Sequence, residues 1–225
     1  MRHSGSLQKI TLAAFIASSI LVLIAGVIWG IKLLPTFHSQ ETPQPVNLPI
    51  GGFPMAGNLA PDFKLSDQFG HSTTLASFRG QEVVLAFIDA RCITLCPLTA
   101  QIMYNARASL GASASGHIAL VAVNANPDAT SIAAVQGWSI THGMLHQWSF
   151  LTGPATHLQE IYHAYQVYDQ VSSDGQATHD PAVLIIDAQG HERLYFETLD
   201  STAQADLRDQ EIGMEAGMRQ WLPKS

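Results

Sequence analysis

Two cysteines are the residues whose type and spacing most clearly indicate chemistry. They are the only two in the chain, and they stand four apart in the run Cys92-Ile-Thr-Leu-Cys96, which Pro97 follows. Strand-like residues precede the pair at 82–89, and helix-like residues follow it at 98–110. The thiols therefore lie at a strand-to-helix junction, and Pro97 is predicted to open the helix. Such a junction lowers a thiol pKa, because a helix N-terminus favours an anion.

A thiolate at this place has two chemical uses. It is the nucleophile of thiol–disulfide exchange, and it is a soft ligand for copper(I). A purely structural disulfide is less expected, because a bridge across so short a loop removes little chain entropy. The pair therefore predicts redox chemistry, metal handling or both. Arg91, which precedes Cys92, either favours the thiolate electrostatically or is a solvated charge, and the sequence leaves both interpretations open.

Length and charge limit the classes of function. The chain has 225 residues, a formal net charge of −7 and a pI near 5.7. An acidic protein without a basic face is a poor nucleic-acid binder, so we expect no nucleic-acid partner. The length suits one domain and an anchor.

The N-terminal part predicts a membrane anchor. Residues 10–31 form 22 consecutive positions without a charge. As a helix they would span roughly 33 Å, enough for the hydrocarbon core of a bilayer. The apolar region of a cleaved signal peptide is shorter, about 7–15 residues, so we expect the anchor to stay uncleaved. Arg2 and Lys9 precede the span, which predicts a cytosolic N-terminus and a domain on the other side of the membrane.

The predicted organisation has four parts. Residues 1–9 are a cytosolic N-terminus, 10–34 the transmembrane anchor, 35–57 a linker rich in proline and glycine, and 58–225 a folded domain. The expected location is the cell inner membrane, crossed once, with the domain in the periplasm or an equivalent external space. That space is oxidising, so the two cysteines can form a disulfide unless they are reduced.

Strand and helix patterns alternate along the folded domain. The pattern predicts an opening hairpin at 60–65 and 72–78, strands at 82–89, 117–124, 182–187 and 193–196, and helices at 98–110, 128–140, 155–165 and 203–222. Asp128 is the expected N-cap of the second helix. Alternation at this spacing predicts an α/β domain with a central sheet.

Several segments together resemble the Sco/SenC family, which are membrane-anchored thioredoxin-fold copper proteins of cytochrome c oxidase assembly. The segments are Ala60-Pro-Asp-Phe-Lys-Leu65, Cys92-x-x-x-Cys96-Pro97, residues 121–127, Trp148-Ser-Phe-Leu-Thr-Gly153, Ala164-Tyr-Gln-Val-Tyr168, and His179 eight residues before Asp187. Their order and spacing hold over about 58–222. The resemblance implies a thioredoxin-like α/β fold behind one N-terminal transmembrane helix.

The resemblance also implies a metal site. In the family two cysteines and one histidine bind copper, which corresponds here to one ion on Cys92, Cys96 and His179. The implied partner is the copper-receiving subunit of a respiratory oxidase. The chemistry of the residues agrees, since copper(I) favours thiolates and imidazole suits copper as well. Two thiolates and one neutral nitrogen leave a coordination position open, through which the ion can be handed over.

The chain departs from the family pattern in two places. An aspartate that the family often carries after the second strand is replaced in the run Val123-Asn-Ala-Asn-Pro-Asp128. The histidine is followed by Asp180 and Pro181, where the family usually has serine or threonine after the histidine. Pro181 stands where membrane-anchored thioredoxin-like reductases carry a cis-proline facing their thiols, so we expect a cis bond there.

These departures keep a second function open, a thiol–disulfide oxidoreductase without a copper role. In it Cys92 attacks a partner disulfide and Cys96 resolves the mixed disulfide. A peroxidase is a third and weaker option, since it depends only on the opening at 60–63 and lacks the usual loop before the cysteine. In either main function Asp89 and Asp180 are candidates for orienting His179. We expect the side chains of four other histidines to lie on the surface or at helix ends: His142, His146, His157 and His163.

Overall fold

The computed structural model describes residues 52–167, 170–171, 177–178, 182–199 and 204–223. Its strands are β1 (Phe53–Pro54), β2 (Lys64–Ser66), β3 (Ser72–Thr74), β4 (Glu82–Ile88), β5 (Ile118–Asn124), β6 (Ser149–Leu151), β7 (Gln170–Val171), β8 (Ala177–Thr178), β9 (Ala182–Ile186) and β10 (Glu192–Glu197). Its helices are α1 (Leu95–Ser109), α2 (Ala112–Ser115), α3 (Ile132–Thr141), α4 (Ala155–Ala164) and α5 (Gln204–Trp221), and a 3-10 turn covers Leu75–Phe78.

A six-stranded mixed sheet in the order β1-β10-β9-β4-β5-β6 organises these elements. Strands β4, β5 and β6 run parallel, and β9 runs antiparallel to β4. Parallel neighbours need crossover connections, which α1 and α3 supply. Two smaller hairpins, β2-β3 and β7-β8, lie outside this sheet. The predicted mixed α/β domain is therefore confirmed.

The sheet is covered on both faces, as the continuous apolar runs of its central strands predict. Alternate residues of β4 enter two separate clusters: Val84 packs with α1, α3 and α5, whereas Leu85 packs with α4 and the β2-β3 hairpin. Every residue of β4 is buried. The chain that leaves the carboxyl end of β4 therefore starts from a rigid support, and this is where the cysteines follow.

Helix α1 begins three residues earlier than predicted, at Leu95 instead of Leu98. Pro97 consequently does not open the helix but occupies its third position, and Cys96 lies inside the first turn. A proline is tolerated there because the first N–H groups of a helix have no partner within the helix. This correction changes the setting of the thiols, since only Cys92 lies before the helix.

Two other boundaries differ from the prediction. Helix α3 begins at Ile132 and not at Asp128, because Ser131 caps it by accepting the N–H of Ala134 over 3.1 Å. The segment predicted as a strand at 72–78 ends as a strand at Thr74. There a capping box between Thr74 and Ser77 turns the chain into the 3-10 helix.

The sheet extends into the segment that was predicted to be a linker. Strand β1 pairs antiparallel with β10, so Phe53 lies opposite Tyr195. A proline is compatible with this place because β1 is an edge strand. The predicted anchor at 10–34 lies outside the described residues. Among the residues that the structure describes, no helix is long and apolar enough to cross a membrane.

Candidate functional site

All three polar groups of Cys92 make hydrogen bonds or close polar contacts. Its backbone N–H donates to the carbonyl of Asp89 over 3.0 Å. Its carbonyl accepts the indole N–H of Trp138 over 2.9 Å. Its sulfur accepts the backbone N–H of Cys96 over 3.4 Å and lies 3.8 Å from the hydroxyl oxygen of Thr94. The loop that carries Cys92 is therefore fixed at every polar group of this residue.

The sulfur of Cys92 occupies the place of a helix cap. Thr94 is the N-cap residue by position, but its side chain makes no capping hydrogen bond. The N–H of Cys96 is one of the groups that lack a partner within the helix, and it finds one in the Cys92 sulfur. A sulfur at this position meets the positive end of the helix dipole, which stabilises a thiolate.

The two thiols have opposite acidities as a result. The pKa of Cys92 is lowered to about 5, chiefly because the Cys96 thiol donates a hydrogen bond to its sulfur. Backbone N–H groups of Cys96 and Thr94 lower it further, and partial burial opposes them. The pKa of Cys96 is raised well above its usual range by the same hydrogen bond, by burial and by the nearby Cys92 charge. The site at neutral pH therefore has one thiolate and one thiol.

Exposure separates the two cysteines in the same way. Cys96 is 2 % exposed and packs with the core cluster under α1, whereas Cys92 is half-buried. The two cysteines are not joined in a disulfide in this structure. An attacking or metal-accepting sulfur must be reachable, and a second one can remain behind it. The arrangement meets both requirements.

A buried polar network supports the loop before Cys92. The carboxylate of Asp89 accepts the backbone N–H of Arg91 over 2.7 Å and the side-chain amide N–H of Asn126 over 2.9 Å. Asn124 accepts the backbone N–H of Ala90 over 3.4 Å through its side-chain oxygen. Both asparagines therefore tie the loop after β5 to the loop after β4. Asp89 acts on the thiol loop in this way, and its predicted effect on His179 stays a prediction.

The contacts of the Arg91 guanidinium do not support an electrostatic effect of Arg91 on the Cys92 thiolate. It donates to the carbonyl of Asp128 over 2.8 Å. Hydrogen bonds account for the lowered pKa of Cys92, and Arg91 is not among its causes. The Arg91 side chain therefore holds the loop that follows β5.

Trp138 and His142 join the surroundings of the site, and the sequence did not single them out for it. Besides the bond from Trp138 to the Cys92 carbonyl, the ring of His142 lies against Trp138 with centroids 4.2 Å apart. Burial lowers the pKa of His142, and attraction to the Cys92 charge opposes that effect. His142 ends helix α3, as predicted. Neither residue belongs to a local motif, because α3 meets the thiol loop only through the fold.

The third predicted ligand, His179, lies outside the described residues, together with Asp180 and Pro181. Within the described ranges no three histidine, cysteine or acidic side chains form a group that could hold a metal ion. The two sulfurs fit copper(I) as donors, since one is already a thiolate and both are soft. They provide two of the three predicted donors, and the expected cis bond at Pro181 stays a prediction.

Three solved structures illustrate what the chain is similar to. ScoI of Bradyrhizobium japonicum, solved with copper bound, matches with a TM-score of 0.59 and 18% identity over 73% of this chain and 100% of that one. BsSco is described as a member of the Sco family of cytochrome c oxidase assembly proteins in which a disulfide switch was identified. It matches with a TM-score of 0.55 and 17% identity over 69% of this chain and 95% of that one.

The third is a thioredoxin domain of a thiol–disulfide oxidoreductase from Bacteroides vulgatus. It matches with a TM-score of 0.53 and 13% identity over 74% of this chain and 97% of that one. These likenesses show a thioredoxin-like fold, which confirms that part of the prediction. A comparison with curated proteins finds no match.

The family follows from the sequence itself. The model of the family described as SCO1/SenC matches residues 54–209, more than half of the chain, and this stretch contains both cysteines and His179. The chain therefore belongs to the SCO1/SenC family.

Proposed function

We propose that this protein is a membrane-anchored copper metallochaperone. It holds one copper(I) ion on Cys92, Cys96 and His179, and it delivers the ion to a subunit of a respiratory cytochrome c oxidase or keeps the thiols of that subunit reduced. The observation that carries the proposal is the pair of unequal thiols, a reachable thiolate hydrogen-bonded to the first turn of α1 and a buried thiol behind it.

This pair suits the capture of copper(I). The Cys92 thiolate is ready as a first ligand at neutral pH, so the ion need not displace a proton there. Cys96 then loses its proton to the solvent as it becomes the second ligand. Reprotonation of Cys96 would favour release, because its thiol form is strongly preferred when the metal is absent.

The course of the chain supports His179 as the third ligand. Strand β9 begins at Ala182, and Val183 lies opposite Ala86 near the carboxyl end of β4. The chain thus enters β9 at the sheet edge from which the thiol loop also leaves. His179 precedes that strand by three residues in the sequence, which supports it as the third ligand.

The anchor and the compartment are part of the proposal. The uncharged run at 10–31 supports a single transmembrane helix, and the charges before it support a cytosolic N-terminus. The domain would then face the periplasm or an equivalent space. A cysteine-accessibility assay on intact cells tests this: a membrane-impermeant thiol reagent should label Cys92. Labelling only after lysis would contradict the orientation.

The copper site is tested by titrating the reduced full-length protein with copper(I) against a competing chelator. We expect one tight equivalent, which Cys92→Ser, Cys96→Ser and His179→Ala each weaken by at least about tenfold. His146→Ala is the matched control, because the His146 ring stacks on Phe69 with centroids 5.8 Å apart and takes no part in the site. Unchanged affinity in His179→Ala would overturn the three-ligand site.

A second candidate function, thiol–disulfide exchange without copper, is favoured by the same inequality of the thiols. The Cys92 thiolate attacks one sulfur of a partner disulfide; that S–S bond breaks, and the leaving thiolate takes a proton. Cys96, on losing its proton, attacks the Cys92 sulfur and releases the second partner thiol. The cysteine pair loses two electrons and becomes a disulfide, while the partner disulfide gains them and is reduced. An external dithiol must then reduce the cysteine pair again.

His179→Ala separates the two functions. If the copper site is correct, copper affinity collapses in this variant. If only exchange is physiological, the wild-type chain binds copper weakly and the variant reduces a partner disulfide as fast as the wild type.

A further inference from the structure

We infer that Trp138 is a positioning residue for Cys92: its indole N–H holds the carbonyl of Cys92 and thereby keeps the sulfur in reach of the Cys96 N–H. This inference rests on the proposed use of Cys92 as the reactive sulfur. The contact is a hydrogen bond of 2.9 Å between residues 46 positions apart, so it exists only through the tertiary fold.

The indole is itself held firmly. Trp138 is 6 % exposed, stacks on Trp148 with centroids 5.5 Å apart and meets the edge of Phe150 at 5.7 Å. The ring of His142 also lies against it, with centroids 4.2 Å apart. A ring packed on several sides loses little further freedom when it donates a hydrogen bond, so the donor is preorganised.

The carbonyl that it holds lies between two other hydrogen-bonded groups of Cys92. The N–H of Cys92 is bonded to Asp89, and its sulfur accepts the N–H of Cys96 over 3.4 Å. Between these points the loop presents Ile93, which is 82 % exposed. An exposed side chain at this position contributes little packing that could hold the peptide plane. The indole N–H is therefore the contact that fixes the orientation of the Cys92–Ile93 peptide.

Loss of the indole donor should therefore free the Cys92–Ile93 peptide and let the sulfur move away from the helix N-terminus. The carbonyl would then accept a hydrogen bond from a water molecule, which would not fix the orientation of the peptide. The thiolate would then lose part of its hydrogen bonding, while the fold and the core packing would persist if the aromatic ring remained.

Trp138→Phe tests this in the reduced full-length protein, with Trp148→Phe as the matched control. Trp148 is also 6 % exposed, belongs to the same aromatic cluster and also donates one indole hydrogen bond, but to the hydroxyl of Ser139 over 3.1 Å. Both variants lose one indole donor and similar packing. Only Trp138→Phe loses a bond to the thiol loop.

The readout is the rate of alkylation of Cys92 by iodoacetamide across pH, followed by mass spectrometry. In Trp138→Phe we expect the ratio of the rate at about pH 5.5 to the rate at about pH 9 to fall about three- to tenfold, and in Trp148→Phe to change by less than about twofold. Equal profiles for Trp138→Phe and the wild type would overturn the inference. Equal shifts in both variants would also overturn it, because they would indicate a general packing effect.

A measurement on the unmutated protein keeps the inference testable if Trp138→Phe does not fold. For NMR, isotope labelling of the cysteine carbonyl carbons marks only two sites in this chain, and isotope labelling of the tryptophan indole nitrogens marks four. Coupling across a hydrogen bond should connect one indole nitrogen with the Cys92 carbonyl carbon. Absence of that correlation would refute the contact. Neither readout involves copper, so a failure to bind copper would affect the proposed function and leave this inference standing.

Discussion

The backbone N–H of Cys96 donates to the sulfur of Cys92 over 3.4 Å, so the first cysteine of the pair caps the helix that carries the second. The spacing of four residues produces this contact, because it places Cys92 just before the first turn and Cys96 within it. One hydrogen-bonded unit thus makes Cys92 acidic and Cys96 reluctant to ionise.

The acidity of Cys92 should depend on the side chain of Cys96. Cys96→Ala removes the S–H donor but keeps the backbone N–H, so we expect the pKa of Cys92 to rise from about 5 toward its ordinary range. Cys96→Ser keeps a hydroxyl donor and should restore part of the shift. The midpoint of the alkylation rate of Cys92 against pH measures each value. Identical midpoints in the wild type and Cys96→Ala would show that the helix alone sets the acidity.

The dependence of copper(I) affinity on pH should report the protonation of the two thiols. Between about pH 7 and pH 8.5 Cys92 is already a thiolate, an imidazole ligand is neutral, and only Cys96 must lose a proton. We therefore expect the affinity to rise about tenfold per pH unit. Competition titrations at several pH values measure the slope. A hundredfold rise per unit would mean that both thiols carry protons.

Asn126 should stabilise the fold through Asp89. Asn126→Ala leaves the buried Asp89 carboxylate without the amide bond of 2.9 Å and removes the acceptor for the Asp128 N–H. We expect a loss of about 1–3 kcal/mol in the free energy of unfolding. Denaturant unfolding measures it, with Gln101→Ala as the control. Gln101 donates an exposed bond to Asn105, and its loss should cost less than about 0.5 kcal/mol.

Glu82 should make stability depend on pH. It is 0 % exposed, and neither carboxylate oxygen has a hydrogen-bond partner among the residues that the structure describes. Burial, followed by repulsion from Asp187, raises its pKa to about 8. A raised folded pKa means that the contribution to stability is complete below the unfolded pKa of 4.5 and is lost as pH rises toward about 8.

Glu82→Gln removes this ionisation, so its stability relative to the wild type should increase with pH. We expect the difference to grow by at most about 1.4 kcal/mol per pH unit between about pH 5 and pH 8. Urea unfolding of both proteins at several pH values measures it. Asp209→Asn, an exposed position on α5, is the control for charge removal and should show no such trend. A difference that stays constant with pH would mean that Glu82 is already ionised in the fold.

Much of the sheet could be predicted because its strands carry their signal locally. β4 and β5 are continuous apolar runs, and both were predicted to within one residue. Strand β6 was missed, since three residues are too few to show a pattern. The early start of α1 was missed because a proline near a helix start is compatible with the first position or the third.

What the sequence by itself determined is the chemistry: the cysteine pair, its spacing and its strand-to-helix junction identify soft, acidic sulfur and the SCO1/SenC family. His179 and the anchor at 10–34 remain predictions from it. Only the tertiary structure decided which groups surround the thiols. Asn126 reaches Asp89 across 37 positions and Trp138 reaches Cys92 across 46. Such contacts depend on the packing of α3 and the β5 loop against β4, and no local pattern specifies a partner at that distance along the chain.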